Sequence, residues 1–373
     1  MKKLRIGVAG LGRAFAVMAP AFRDPRVELV AAADPRREAL EKFRQDYGGR
    51  VHGSVEELCA DPQVDVVYVA TPHQVHASHA QAACSRKKHV LVEKPMALSL
   101  QDCRAMIDAA RAAGVALVVG HSHSFDTPIL HASKLIQSGA FGAVRMITAL
   151  DFTDFVYRPR RAEELVTGAV YNQAAHQVDI VRLLAGGKAR RVRAFTGNWD
   201  PARPTEGAYS CLLDFDNGVF ATLVYSGYAH FDSDELMGWI GEMGQSKDPS
   251  AYGAARRALR GDELALKNAR NYGGPEFRET RPVAHQHFGP VVASCERADL
   301  RPLPTGVMVY GDGEQRLDAL PPPGVPRVEV IDELHAAVVE GRPPLHSGEW
   351  AMATLQVCLA MLESSRQERE ILL

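Results

Sequence analysis

Residues 4–15 read Leu-Arg-Ile-Gly-Val-Ala-Gly-Leu-Gly-Arg-Ala-Phe, an apolar run that ends in Gly10 and Gly12 and resumes as a helix-like pattern from Arg13. The order is strand, glycine turn, helix. Gly7, Gly10 and Gly12 permit a tight turn and let the backbone approach a pyrophosphate, which then meets the positive end of a helix opening at Arg13 and Ala14. Ala14-Phe15 stands where the dinucleotide fingerprint has its third glycine, so the match is looser than the full pattern. A second signal supports it. The next apolar run, 27–33, ends at Asp34, about 20 residues beyond the glycines, where an acid binds a ribose 2′-hydroxyl. Asp34 favours NAD, because a carboxylate repels a 2′-phosphate. Arg36 and Arg37 follow and are able to accept that phosphate, which keeps NADP open, although their plainer reading is a solvated helix face.

Outward from this corner the pattern repeats. Runs at 64–70, 89–92 and 115–119 are short, apolar and β-branched, as buried strands are. Between them, 36–47, 55–59, 75–86 and 99–113 read as helices, with Pro35 and Ser99 as starts and Gly114 as a stop. Alternating strands and helices imply a parallel sheet covered on both faces. The pattern changes after Gly120. Helices are expected at 127–138 and 171–184, and strands at 144–152, 192–198, 208–215 and 219–228. Asp216-Asn-Gly218 joins the last two as a hairpin turn. Successive strands without helices imply an antiparallel sheet, hence a Rossmann α/β domain over 1–123 and an α+β domain over 124–373. The stretch 230–304 fits neither pattern and reads as an insertion, functional or disordered. One more hairpin (307–310 with 315–317) and two helices (327–340 and 347–368) follow.

Composition narrows the function classes. The chain has 373 residues, 43 Lys plus Arg against 45 Asp plus Glu, and a net charge of -2. That balance argues against a general nucleic-acid or membrane-surface role and suits a two-domain enzyme with a small-molecule substrate. The start reaches Arg5 and glycine too early for a secretory leader, and no apolar run is long enough to span a bilayer. Six cysteines stand singly, with no C-x-x-C pair, as reduced thiols of a cytoplasmic protein do.

Glu93-Lys94-Pro95 ends a strand of the parallel sheet, at the edge where such folds bind ligands. A lysine there orients substrate and tunes a proton acceptor by its charge. Farther on, Asn172, His176 and Asp179 share one helical face, and Asp179 is placed to fix the imidazole tautomer. His73, His76, His79, His121 and His123 make the chain unusually histidine-rich. His121 and His123 have ligand-like spacing, yet lining a cleft is the simpler role, and no metal is expected.

Together, Gly7-x-x-Gly-x-Gly12, Thr71-Pro72-x-x-x-His76, Glu93-Lys94-Pro95 and the segment Gly168-Ala-Val-Tyr-Asn172-x-x-x-His176-x-x-Asp179 resemble the Gfo/Idh/MocA oxidoreductases. The resemblance implies NAD(P)-dependent hydride transfer and places Thr71, Pro72, His76, Glu93 and Lys94 at the cofactor. It makes Lys94 and His176 catalytic, with His176 the general acid/base. Asn172 stands where many members have Asp and cannot exchange a proton, so it is expected to orient substrate or nicotinamide. Some stretches, among them 119–126, 157–165, 171–179 and 288–302, resemble the phthalate dihydrodiol dehydrogenases within that family. That implies oxidation of the cis-4,5-dihydrodiol of phthalate to 4,5-dihydroxyphthalate. Two carboxylates call for fixed positive charge. Arg158, Arg160 and Arg161 are the candidates, with His121, His123 and Asp179 as further substrate contacts. His285, His287 and Arg297 are candidates for a lid. A sugar or inositol dehydrogenase, and a dinucleotide sensor without turnover, are the competing readings. An open sheet with an apolar outer face also implies a homo-oligomer, a dimer or tetramer.

Overall fold

The β-branched runs of the first third form strands because each is short enough to bury on both sides of a sheet. A computed structural model describes residues 3–120, 123–160, 164–251, 253–259, 261–279 and 282–373. The strands are β1 (Leu4–Ala9), β2 (Val27–Ala33), β3 (Arg50–His52), β4 (Val66–Val69), β5 (His89–Glu93) and β6 (Leu117–Gly120), and every pairing among them is parallel. Their order, β3-β2-β1-β4-β5-β6, is the doubly wound one. Five helices connect them: α1 (Arg13–Met18), α2 (Arg37–Tyr47), α3 (Val55–Ala60), α4 (His76–Ser85) and α5 (Leu100–Ala113). Ser54 and Ser99 cap α3 and α5 through their hydroxyls, and α2 and α5 stop at Gly48 and Gly114, both at φ +68. Sequence patterning misses β3, an edge strand of three residues with one apolar side chain.

The second sheet has nine strands in the order β14-β13-β12-β11-β7-β10-β9-β8-β15. These are β7 (Val144–Phe152), β8 (Ala189–Gly197), β9 (Ala208–Phe215), β10 (Phe220–Ser226), β11 (Val291–Cys295), β12 (Ala298–Leu303), β13 (Gly306–Gly311), β14 (Gln315–Ala319) and β15 (Ile371–Leu372). The expected antiparallel sheet is mixed at one place, where β7 and β10 run parallel. A helical crossover precedes the β8–β10 meander, which brings its last strand beside β7 in the same direction. One face of the sheet packs against α6 (Thr127–Gln137) and α7 (Ala175–Ala185). All of α7 is buried, so its polar residues His176, Gln177, Asp179 and Arg182 are exceptions that need partners.

The stretch 230–304 is a correction. Its end supplies β11 and all of β12, so it is part of the sheet and not only an insertion. It also contains α8 (Ala254–Ala258) and α9 (Glu263–Arg270). The late segments of the chain are shared between the two units. By contacts the chain forms two units: Met1–His121 with Leu264–Glu279 and Val325–Leu355, and Ser122–Glu263 with Thr280–Gly324 and Gln356–Leu373. Late segments return to the first unit because they complete its surface: α10 (Val328–Val339) and the start of α11 (Gly348–Gln367) bury Ile331, Leu334 and Ala351 there. No helix among the described residues is long and apolar enough to cross a membrane.

Candidate active site

In the first unit, Gly10, Asp34, Thr71 and Lys94 all follow the C-terminal ends of parallel strands, the edge where doubly wound sheets bind ligands. Gly10 has φ +93, and a Cβ there would stand 2.7 Å from the Ala70 carbonyl oxygen, so only glycine fits. A Cβ on Gly12 would meet nothing within 4 Å, which leaves the helix entrance open to a phosphate. Gly7 has a different role: a Cβ there would press on Leu58 and Val64, so it lets α3 pack closely on β1. Asp34 accepts the Leu11 N–H (2.7 Å) and the Arg36 N–H (2.8 Å), which fixes its carboxylate beside the glycine turn. A glycine cradle with an anchored acid fits a dinucleotide.

Arg36 departs from the solvated-face expectation. Its guanidinium donates to Asp34 (3.2 Å), to the Leu11 carbonyl (2.7 Å) and to the Tyr272 carbonyl (3.1 Å), and its side chain is only 12% exposed, against 91% for Arg37. Arg13 and Pro72 are exposed and Ala14 is half-buried. His76, expected at the cofactor, is fully buried. Its two ring nitrogens face the carbonyls of Pro95 (3.0 Å) and Thr71 (2.9 Å). It therefore ties the loop after β4 to the loop after β5, next to Lys94 in sequence. The Lys94–Pro95 peptide is cis, Lys94 is half-buried, and Glu93 accepts the Tyr68 hydroxyl at 2.6 Å. Thr71 pairs through its hydroxyl with His79 (3.0 Å).

In the second unit a cluster forms around two imidazoles. The rings of His123 and His176 stand 4.6 Å apart, edge to face, and Phe288 packs on both, at 5.1 and 4.7 Å. His123 meets Asp126 at 3.0 Å through Nδ1 and Glu242 at 3.4 Å through Nε2. Burial opposes charge on His123, but Asp126 and Glu242 more than offset it and its pKa rises. Glu242 also holds Arg158 at 3.3 Å. Burial opposes the Arg158 charge as well, and Glu242 and Asp154 reverse that effect. Arg158 thus joins the His123–His176 cluster through Glu242. Arg160 stacks on the same Phe155 ring that Arg158 faces, its guanidinium 3.9 Å from the centroid against 5.8 Å for Arg158, and burial together with Arg203 pushes its pKa down to about 10. His121 and Arg161 lie outside the described residues.

Asn172 sits in a π turn, Val170–Ala174, that precedes α7. Its amide donates to the Thr167 carbonyl (3.1 Å) and the Gly168 carbonyl (2.9 Å), so it shapes the backbone that presents His176. Asp179, expected at the substrate, is fully buried and pairs with Arg182 at 3.7 Å, within α7 itself. The lid residues are also corrected. His285 and His287 are buried against the carbonyls of Pro321 and Ile240, both at 2.8 Å, and Arg297 bonds the carbonyls of Gly139 and Ala140. Each staples a loop that lacks regular partners. No group of three or more His, Cys, Asp or Glu among the described residues is arranged to hold a metal.

Sequence reasoning missed Glu242 and Asp151. Glu242 lies in the aperiodic 230–304 stretch, where no spacing rule singles it out. Asp151 is buried in β7, accepts the Ser233 hydroxyl at 2.9 Å, and is pushed up to about 7 by burial, with Glu242 and Asp234 adding to the effect. The spacing His123-x-x-Asp126 was a signal for that pair.

Comparison with known proteins identifies the scaffold. The model described as oxidoreductase family, NAD-binding Rossmann fold, matches residues 4–121, and that of the Gfo/Idh/MocA C-terminal domain matches 129–245. The chain is 50% identical, over 98% of its length and 96% of the relative's, to 1-carboxy-3-chloro-3,4-dihydroxycyclohexa-1,5-diene dehydrogenase of Comamonas testosteroni. A solved structure from Bordetella bronchiseptica RB50 superposes with a TM-score of 0.94 at 42% identity, covering 100% of both chains. Levoglucosan dehydrogenase, solved with NADH and levoglucosan, shares the fold at a TM-score of 0.76 and 18% identity, over 100% of this chain and 99% of that one. With a glycine cradle and anchored acid in one unit and a histidine cluster on a mixed sheet in the other, the chain belongs to the Gfo/Idh/MocA family of NAD-dependent oxidoreductases.

Proposed function

We propose that this enzyme oxidises a carboxylated cyclohexadiene cis-diol, with the cis-4,5-dihydrodiol of phthalate as the specific candidate and the chlorinated monocarboxylate diol named for the Comamonas relative as the alternative of the same class. The carrying observation is that His176, His123 and Arg158 belong to one cluster, linked through Phe288 and Glu242. Bound NAD supplies the hydride acceptor. His176 takes the hydroxyl proton at a ring nitrogen as the hydride leaves the same carbon. The resulting ketone of the phthalate diol tautomerises to an aromatic catechol, which draws the reaction forward. Lys94 is assigned to the substrate hydroxyl by its Glu93-Lys94-Pro95 motif, and Asn172 holds the turn that carries His176.

Arg158 supplies the carboxylate contact. Glu242 engages its Nη1 and Asp154 lies 3.8 Å from Nε, an arrangement that fixes the fork while a planar guanidinium still has further N–H groups to offer. A neutral polyol would use this cation poorly. The test is NADH formation with the phthalate diol, the chlorinated diol, an inositol and a hexose in parallel. Arg158→Ala should raise KM for the carboxylated diols by about 10–100-fold, the range for loss of a charged hydrogen bond. Equal KM for wild type and variant would remove Arg158 from the substrate site.

A further inference from the structure

We propose that the Leu264–Glu279 strap enforces NAD over NADP by holding Arg36 away from the position of a 2′-phosphate. The two dinucleotides differ at the ribose that Asp34 is placed to bind. An arginine two residues beyond that acid would capture the phosphate if it were able to swing outward. Here it is held inward by three acceptors. Two of them, Asp34 and the Leu11 carbonyl, belong to the β1–β2 corner itself. The third is the Tyr272 carbonyl, 236 residues away along the chain.

The strap is fastened to this corner by several independent contacts. The Tyr272 ring is buried edge-on against Phe15, with centroids 4.9 Å apart, and its hydroxyl donates to Asp46 at 2.6 Å. Gly273 has φ +82, and a Cβ there would stand 2.8 Å from the Ala39 Cα, so the strap lies directly on α2. Arg23 and Glu279 close its far end with an ion pair at 2.6 Å. If Arg36 turned outward, the Tyr272 carbonyl would lose this donor, and Asp34 would face the incoming phosphate with less of its charge neutralised. Both effects weigh against NADP and neither touches NAD. The strap therefore acts as a positioning element: it touches Arg36, not the dinucleotide.

The test uses titrations of the full-length enzyme with NADH and with NADPH, read by nicotinamide fluorescence, so that no substrate is needed. Wild type should bind NADH about 100-fold more tightly than NADPH, as expected when an anchored acid faces a phosphate. Gly273→Ala removes no side chain from Arg36 and displaces the strap. It should tighten NADPH binding by about tenfold and leave NADH within about twofold. Adding Arg36→Ala to that variant should cancel the gain, since the freed guanidinium is what captures the phosphate. Tyr272→Phe, a milder change that removes the hydroxyl bond to Asp46, should give a smaller shift in the same direction and serves if Gly273→Ala does not fold. A merely structural strap would weaken NADH and NADPH equally. An unchanged ratio in the folded variants, or a gain that survives Arg36→Ala, would overturn the proposal.

Discussion

His176 is a polar side chain in a helix buried on every side, with a second imidazole against its ring. His176→Ala should abolish most turnover, by about 100-fold or more as for loss of a general base, while NADH still binds. Unchanged turnover would exclude the assignment. Asp151 offers a test of the cluster's electrostatics. Its carboxyl is raised from the ordinary 3.8 to about 7. The unfolded chain therefore ionises first as pH rises, and the folded state loses stability between these values, by on the order of 4 kcal/mol at most. Asp151→Asn keeps an acceptor for Ser233 and removes this loss. Its melting temperature should gain on wild type from pH 5 to pH 8, and a parallel pair of curves would contradict the burial argument.

At the scale of elements, legibility followed the strength of periodicity. The ranges of β1, β2, β7 and β9 are those expected from their apolar patterning, because each is a clean buried or alternating run between turn residues. The glycine turn after β1 was legible for the same reason. Gly10→Ala should abolish NADH binding and destabilise the protein by about 2 kcal/mol or more, since a side chain is strained at φ +93 and its Cβ would meet the Ala70 carbonyl. Wild-type melting and binding would show that this turn tolerates a side chain. The π turn at Val170–Ala174 was not legible, because its extra residue leaves no mark on a helical apolar pattern. Nor was the role of His76: a Thr-Pro-x-x-x-His spacing does not distinguish a ligand contact from a tie between two loops. Glu242 reaches His123 from a segment without periodicity, and only the fold brings them together.

On the whole molecule, the second sheet presents Met146, Phe195, Leu212 and Phe220 on the face opposite α7, with Phe195, Leu212 and Phe220 each more than half exposed. Adjacent apolar groups on an open sheet are the mark of a covered surface. We expect self-association through this face. Leu212→Lys with Phe220→Lys should lower the mass seen by light scattering to that of one chain while the far-ultraviolet circular dichroism is preserved. A wild type already of one-chain mass would refute it. The chain's return to the first unit with Leu264–Glu279 was hidden from sequence reading, because contacts such as Arg36 with the Tyr272 carbonyl carry no local signature.

The measurement that bears most directly on the functional reading is NADH absorbance after mixing enzyme, NAD and the cis-4,5-dihydrodiol of phthalate, with the chlorinated carboxylate diol, an inositol and a hexose alongside. The account predicts NADH from the carboxylated diols alone, and its loss in His176→Ala. NADH from the inositol or the hexose with none from either diol would contradict the carboxylate site built on Arg158.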